Sequence, residues 1–195
     1  MRPATSRGYD QPMSFSLSHQ FLIAMPVLAD TNFAGTVTYL CQHDAQGALG
    51  IVINRPSALQ LRDVLTHLKL PCTRTDDAPV YTGGPMEPQT GFVLHDVIEG
   101  YDLSVRLGGD LMLSTARDLL AAIGAGNGPR RFLVALGYAG WGPGQLETEL
   151  AGNAWLSCPA SSEVLFEVPP AQRVRRAAAA LGIDFSLINA QPGHA

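Results

Sequence analysis

Phe132-Leu133-Val134-Ala135-Leu136-Gly137-Tyr138-Ala139-Gly140-Trp141-Gly142-Pro143-Gly144-Gln145-Leu146-Glu147 is the stretch from which the rest of the chain is best read. Its first five residues form an unbroken apolar run and predict a buried, central strand. Glycines 137, 140, 142 and 144 follow as a loop, and a short acidic helix is expected over Gln145–Leu150. A glycine-rich loop entering a helix can cradle an anion with its backbone N–H groups. No Lys-Ser/Thr pair completes a phosphate loop here, and the spacing is not G-x-G-x-x-G. Glu147 and Glu149 would repel a phosphate. The plainer reading is a tight turn that lets the helix pack closely on the sheet, with Trp141 and Trp155 as anchors.

Upstream, Phe21–Met25 reads as a strand ended by Pro26. Gly35–Cys41 and Leu49–Ile53 read as a hairpin around the turn residues Asp44-Ala45-Gln46-Gly47. Strict alternation places Val37, Tyr39, Cys41 and His43 on one face. Ser57 is expected to cap a helix over Ala58–Lys69, with Leu61, Val64, Leu65 and Leu68 inward. Pro79–Tyr81, Gly91–His95 and Tyr101–Arg106 read as strands, separated by Gly83-Gly84-Pro85 and Glu99-Gly100. Thr115 and Asp118 resemble a capping box for a helix to about Ile123. Pro169-Pro170 opens a last helix to about Leu181, stopped by Gly182. Short strands mixed with a few helices, without strict alternation, predict an α+β fold.

The chain has 195 residues, enough for one domain with a full core. Charged residues make up 15% and hydrophobic residues 46%, which excludes disorder as the whole answer. No apolar run approaches the roughly 18 residues of a spanning helix, so no membrane partner is expected. The net charge of −4 argues against a dedicated nucleic-acid binder. Arg173, Arg175 and Arg176, with Arg130 and Arg131, are the basic residues that could face phosphates, but a solvated helix face explains them as well. Cys41, Cys72 and Cys158 are widely spaced and read as reduced thiols of a cytoplasmic protein. Residues 1–12 are read as a disordered leader, 13–190 as a single domain and 191–195 as a loose tail, with Met13 as an alternative start.

No complete catalytic constellation is present. The five histidines are scattered, and neither H-x-x-x-H nor H-E-x-x-H occurs, so no metal site or cofactor is expected. No G-x-S-x-G elbow occurs. His43 lies near Cys41 and beside Asp44, yet a cysteine on a strand is more simply a small core residue.

Several segments then combine into a family pattern. These are Phe21–Pro26, Tyr39–His43, Gly47–Pro56, Gly83-Gly84-Pro85, Gly91–His95, Leu136–Trp141 with Gly144–Glu147, and Asn153–Leu156. In order and wording they resemble the AlgH/YqgE family over about Gln20–Ile188. Val174 stands where the family usually carries an aromatic residue. The resemblance implies a single domain whose bent mixed sheet forms a pseudo-barrel with helices packed around it. It implies no reaction: the family is largely uncharacterised and takes its name from a proposed role in transcriptional regulation of alginate synthesis.

The expected function is therefore a non-catalytic binding or regulatory protein, acting at pathway level on a protein or small-molecule partner and not through a DNA-binding motif. Its surface would be built from Asn54, Arg55, Gly83, Gly84, Gly140, Trp141 and Gly144, with His43 and His95. The alternative is a small-molecule or nucleotide-binding enzyme with His43, Arg55 and His95 converging on one pocket.

Overall fold

A computed structural model describes residues 16–28 and 30–183. The expected leader, the alternative start at Met13 and the expected tail lie outside these residues. Ten strands and five helices are described. In chain order they are β1 (Gln20–Ala24), β2 (Val37–Asp44), β3 (Gly47–Val52), β4 (Pro56–Gln60), α1 (Leu61–His67), β5 (Pro79–Thr82), β6 (Met86–Asp96), β7 (Ser104–Arg106), β8 (Leu111–Ser114), α2 (Arg117–Gly124), β9 (Phe132–Trp141), α3 (Gln145–Ala151), β10 (Trp155–Pro159), α4 (Ser162–Phe166) and α5 (Arg173–Ala179). The domain is α+β, a curled, mostly antiparallel half-barrel with helices packed on it.

The expected central strand is central, and it is twice as long as the apolar run suggested. β9 carries β6 along one edge, while its other edge forks. Residues 134–136 pair in parallel with β5, and residues 139–141 pair antiparallel with β3. The sheet then continues as β3-β2-β1-β10 on one side and as β6-β8-β7 on the other. Gly137, at φ +73°, sits at the fork. Leu133 and Ala135 point into the concave core and Val134 to the outer face. Beyond Gly137 the parity shifts, so that Tyr138 again packs inward and Ala139 and Trp141 outward. The glycine serves as a strand irregularity that keeps the core face in phase through a bend. The expected loop is confined to residues 142–144.

Three apolar clusters result. The concave core joins Phe21, Tyr39, Ile51, Leu94 and Leu133 to Leu165 of α4 and Ala177 of α5. One outer patch packs α1 and α2 on Val93 and Val134, and the other packs α3 on Leu40, Ala139 and Trp141.

Several local expectations are corrected. Ser57 lies in β4 and caps no helix. α1 starts only at Leu61, where Asp63 Oδ2 accepts the Gln60 N–H at 2.8 Å, the return half of a capping box. α2 begins after Ala116, and Asp118 Oδ1 accepts from Leu119 N, so Thr115 and Asp118 form no box. Of the expected strand Tyr101–Arg106 only Ser104–Arg106 pairs. Trp155–Pro159, given no strand from sequence, pairs with β1 along its whole length. The last helix opens as a 3-10 turn over Pro170–Gln172. No described helix is long and apolar enough to cross a membrane.

Candidate functional site

His43 faces away from Cys41, contrary to strict alternation. The β2–β3 ladder shifts register between Leu40 and Gln42, and a bulge there reverses the parity of the remaining strand residues. Cys41 stays in the concave core beside Tyr39, and burial raises its thiol pKa far above the ordinary value. His43 points outward, where Nδ1 accepts the Leu17 N–H at 2.9 Å and Nε2 meets Glu147 Oε1 at 2.9 Å. A nitrogen that accepts an amide proton carries none itself, so Nε2 is the protonated one and donates to Glu147. His43 is thus a buried clamp between Leu17 and α3, with no lone pair free for base chemistry. The Glu147 carboxyl titrates below its ordinary range, through its own backbone N–H and the His43 donor.

Trp141 is buried in the same patch, stacked on Phe33 and edge-on to Trp155 at 5.7 Å. Both indole N–H groups donate to one oxygen, Glu149 Oε2, at 2.9 and 2.7 Å. Gln145 fills the turn, with its side-chain oxygen accepting the Gly142 N–H at 3.0 Å. The N–H that could have met an anion is occupied. Gly144 stands at φ +72° ahead of α3, and exposed Gly140 borders a shallow hollow on the hairpin.

Asn54 and Arg55 face inward to the chain. Asn54 accepts from Val37 N and donates to Gly35 O, both at 2.9 Å. Arg55 donates to the carbonyls of Asn32, Ala34 and Thr31. Together they latch the β1–β2 connection. Gly83 and Gly84 are buried at the fork, where a Cβ would stand 2.3 Å from Gly137 O and 2.1 Å from the Tyr138 carbonyl carbon. They are glycines because β5 crosses there against backbone.

His95 is fully buried. Its Nδ1 lies 2.7 Å from the Asp96 carbonyl, which can only accept, so Nε2 accepts from Ser114 Oγ at 2.7 Å. Ser114 in turn lies 2.5 Å from Ser104 Oγ. Burial lowers the His95 pKa.

These residues do not converge. His43 pairs across Ala48 to Trp141, and His95 pairs to Phe132, nine residues away at the other end of β9. At about 3.3 Å per residue the separation approaches 30 Å, far beyond a shared reacting atom. Arg55 lies beyond the other end of β3 from His43.

Three of the five candidate arginines are committed, while Arg130 and Arg175 are exposed. Arg131 makes a forked pair with Asp96, and Arg176 pairs with Glu163. Arg173, expected on a solvated face, is 4% exposed and donates to Val168 O and Ile53 O. Among the described residues no three His, Cys, Asp or Glu side chains gather as metal ligands.

Sequence reading missed a groove of about 800 Å³ between α1, the start of α2 and the outer face of β6 and β9. Val93, Val134 and Leu136 form its floor, and Val64, Leu68 and Leu120 its walls. Asp63, His67, Gln89, Thr115 and Arg117 stand at its rim. Its residues come from four segments, each an ordinary amphipathic element. No residue type or spacing in them signals a groove.

The profile of a family described as AlgH-like matches residues 21–186. The UPF0301 protein AlgH of Pseudomonas aeruginosa is 54% identical over 182 residues, covering 92% of this chain and 96% of that protein. A UPF0301 protein of Methylococcus capsulatus is 49% identical over 180 residues, covering 91% and 96%. The solution structure of the P. aeruginosa AlgH protein superposes with a TM-score of 0.78 at 52% identity, over 97% of this chain and 100% of that one. A crystal structure of a Corynebacterium diphtheriae protein shares the fold at a TM-score of 0.64 and 23% identity, over 81% and 85%.

Proposed function

The chain belongs to the AlgH-like family, and from that premise we propose that it is a non-catalytic binding protein whose site is the groove between α1 and α2. The observation that carries this reading is the groove itself. Its volume of about 800 Å³ falls within the roughly 300–1,000 Å³ of small-molecule sites, and an apolar floor under a few polar rim groups is their usual make-up. The ligand class that fits is a compact molecule with an apolar body and hydrogen-bonding ends. Asn54, Arg55, Gly83, Gly84, Trp141 and His43 then act as scaffold, with their hydrogen-bonding groups or close contacts turned to the chain itself.

A fragment library screened by amide chemical shifts tests this. Expected are ligands that move the resonances of Val93, Val134 and Leu136 and are lost in Leu136→Trp, which fills the floor. Ligands that bind elsewhere, or that Leu136→Trp retains, would sink the reading.

One observation favours an enzyme instead. The Ser104–Ser114–His95 chain can pass a proton from a half-buried hydroxyl to a neutral imidazole. Labelling by a serine-directed fluorophosphonate, lost in Ser104→Ala and in His95→Gln, would support it. An unlabelled protein would retire it.

A further inference from the structure

Arg173 poses a problem that neither the groove nor the fold answers. It opens α5, is 4% exposed, and is the only charged side chain other than histidine among the buried polar residues described. Two of its five N–H groups meet the Val168 and Ile53 carbonyls, and its guanidinium lies over the Tyr81 ring, 5.1 Å from the centroid. No carboxylate among the described residues lies within 4 Å of it, whereas Arg74, Arg106, Arg131 and Arg176 each have one. A buried cation without a counter-charge is unfavourable, and carbonyl dipoles neutralise it only in part.

Beside it lies a cavity of about 130 Å³, at the starts of β5 and β9 and beneath α4 and α5. Tyr81, Phe132 and Phe166 line it along with Arg173. Each of these three rings carries a guanidinium on one face, from Arg173, Arg74 and Arg131 respectively, at 5.1–5.3 Å. Asp76 offsets Arg74, while Asp96 and the more distant Glu167 offset Arg131. Of the three, only Arg173 has no carboxylate partner among the described residues. At about 30 Å³ per water the cavity has room for roughly four waters, the space of a phosphate or a short carboxylate.

We propose that this cavity binds a small oxyanion, a phosphate or carboxylate group, as the missing counter-charge of Arg173. Guanidinium is suited to the task because its fork offers parallel donors to two oxygens of one anion. The site is separate from the α1–α2 groove and stands whether or not that groove binds a ligand.

Calorimetric titration of the full chain with inorganic phosphate and, separately, with acetate tests the proposal. Expected is saturable one-to-one binding of at least one anion, weakened tenfold or more in Arg173→Gln. The stronger anion identifies the class of group. Should Arg173→Gln fail to fold, Phe166→Trp fills the cavity and leaves the guanidinium and its two carbonyl partners in place; binding is expected to be lost there too. No saturable binding of either anion by the wild-type chain overturns the proposal. So does binding that a folded variant retains in full. Arg173 would then be only a latch between α5, Val168 and Ile53.

Discussion

The two outer patches of this sheet meet along one strand, β9, and end up differently. On the α3 side the surface is sealed. Two tryptophans and Phe33 interlock, Glu149 satisfies both indoles, and His43 ties Leu17 to Glu147 of the helix. On the α1–α2 side two helices of seven and eight residues cover only part of the apolar floor and leave the groove. The sealed face holds His43, Gly140, Trp141 and Gly144 of the nine residues that look functional in the sequence, and none of the nine lines the open groove. Unusual residues here mark demanding packing, whereas the cavity arises where packing is incomplete.

The sharpest way to break this contrast is at the joint both faces share. Gly84→Ala would put a Cβ 2.1 Å from backbone at φ +155°, and the expected loss is on the order of 3–5 kcal/mol or failure to fold. A tolerated alanine, read by urea denaturation, would mean that the fork is not a fixed joint. On the sealed face, Glu149→Ala strands two buried indole N–H groups and should cost about 2–4 kcal/mol. Glu149→Gln keeps an acceptor and should cost less, and tryptophan emission reports both. Gly50→Ala on the same face meets Thr38 Cγ2 at 2.7 Å and should cost about 1–3 kcal/mol.

The next effect is set by pH. Burial depresses the His95 pKa in the folded chain, so between that value and the ordinary 6.5 the unfolded chain binds more protons. The contribution is complete above pH 6.5 and is lost as pH falls from there through the folded value. Stability measured from pH 7.5 to 5 should fall, and His95→Gln should flatten the slope; an unchanged slope would show that His95 is not its source. The smallest effect belongs to the open face. Gly91→Ala meets nothing within 4 Å and should shift stability by no more than about 0.5 kcal/mol. A loss as large as that of Gly50→Ala would show that the groove is closed in solution.

Much of the fold was legible because its signals are local. β1, the β2–β3 hairpin, β9 and α2 announce themselves by apolar runs, turn residues and helical spacing. β4 was misread as helix because Ser57 imitates a cap, and its pairing with β5 involves residues about twenty positions away. The parity of His43 failed because alternation cannot see a bulge. The clamp partners of His43 and Arg173 stand 104 and 120 positions away, so no spacing rule could have found them.

The amino-acid sequence by itself determined the class of the domain, its family pattern, most of its strands and its want of a ready-made catalytic motif. Those depend on periodicity and residue type, which act over a few neighbours. Only the tertiary structure decided that the glycine-tryptophan segment is strand as far as Trp141 with that indole buried, that Arg173 is buried beside a small cavity, and that the open space lies between two ordinary helices. Burial and cavities are properties of surfaces brought together from distant segments, and the closing of the curled sheet sets which surfaces meet.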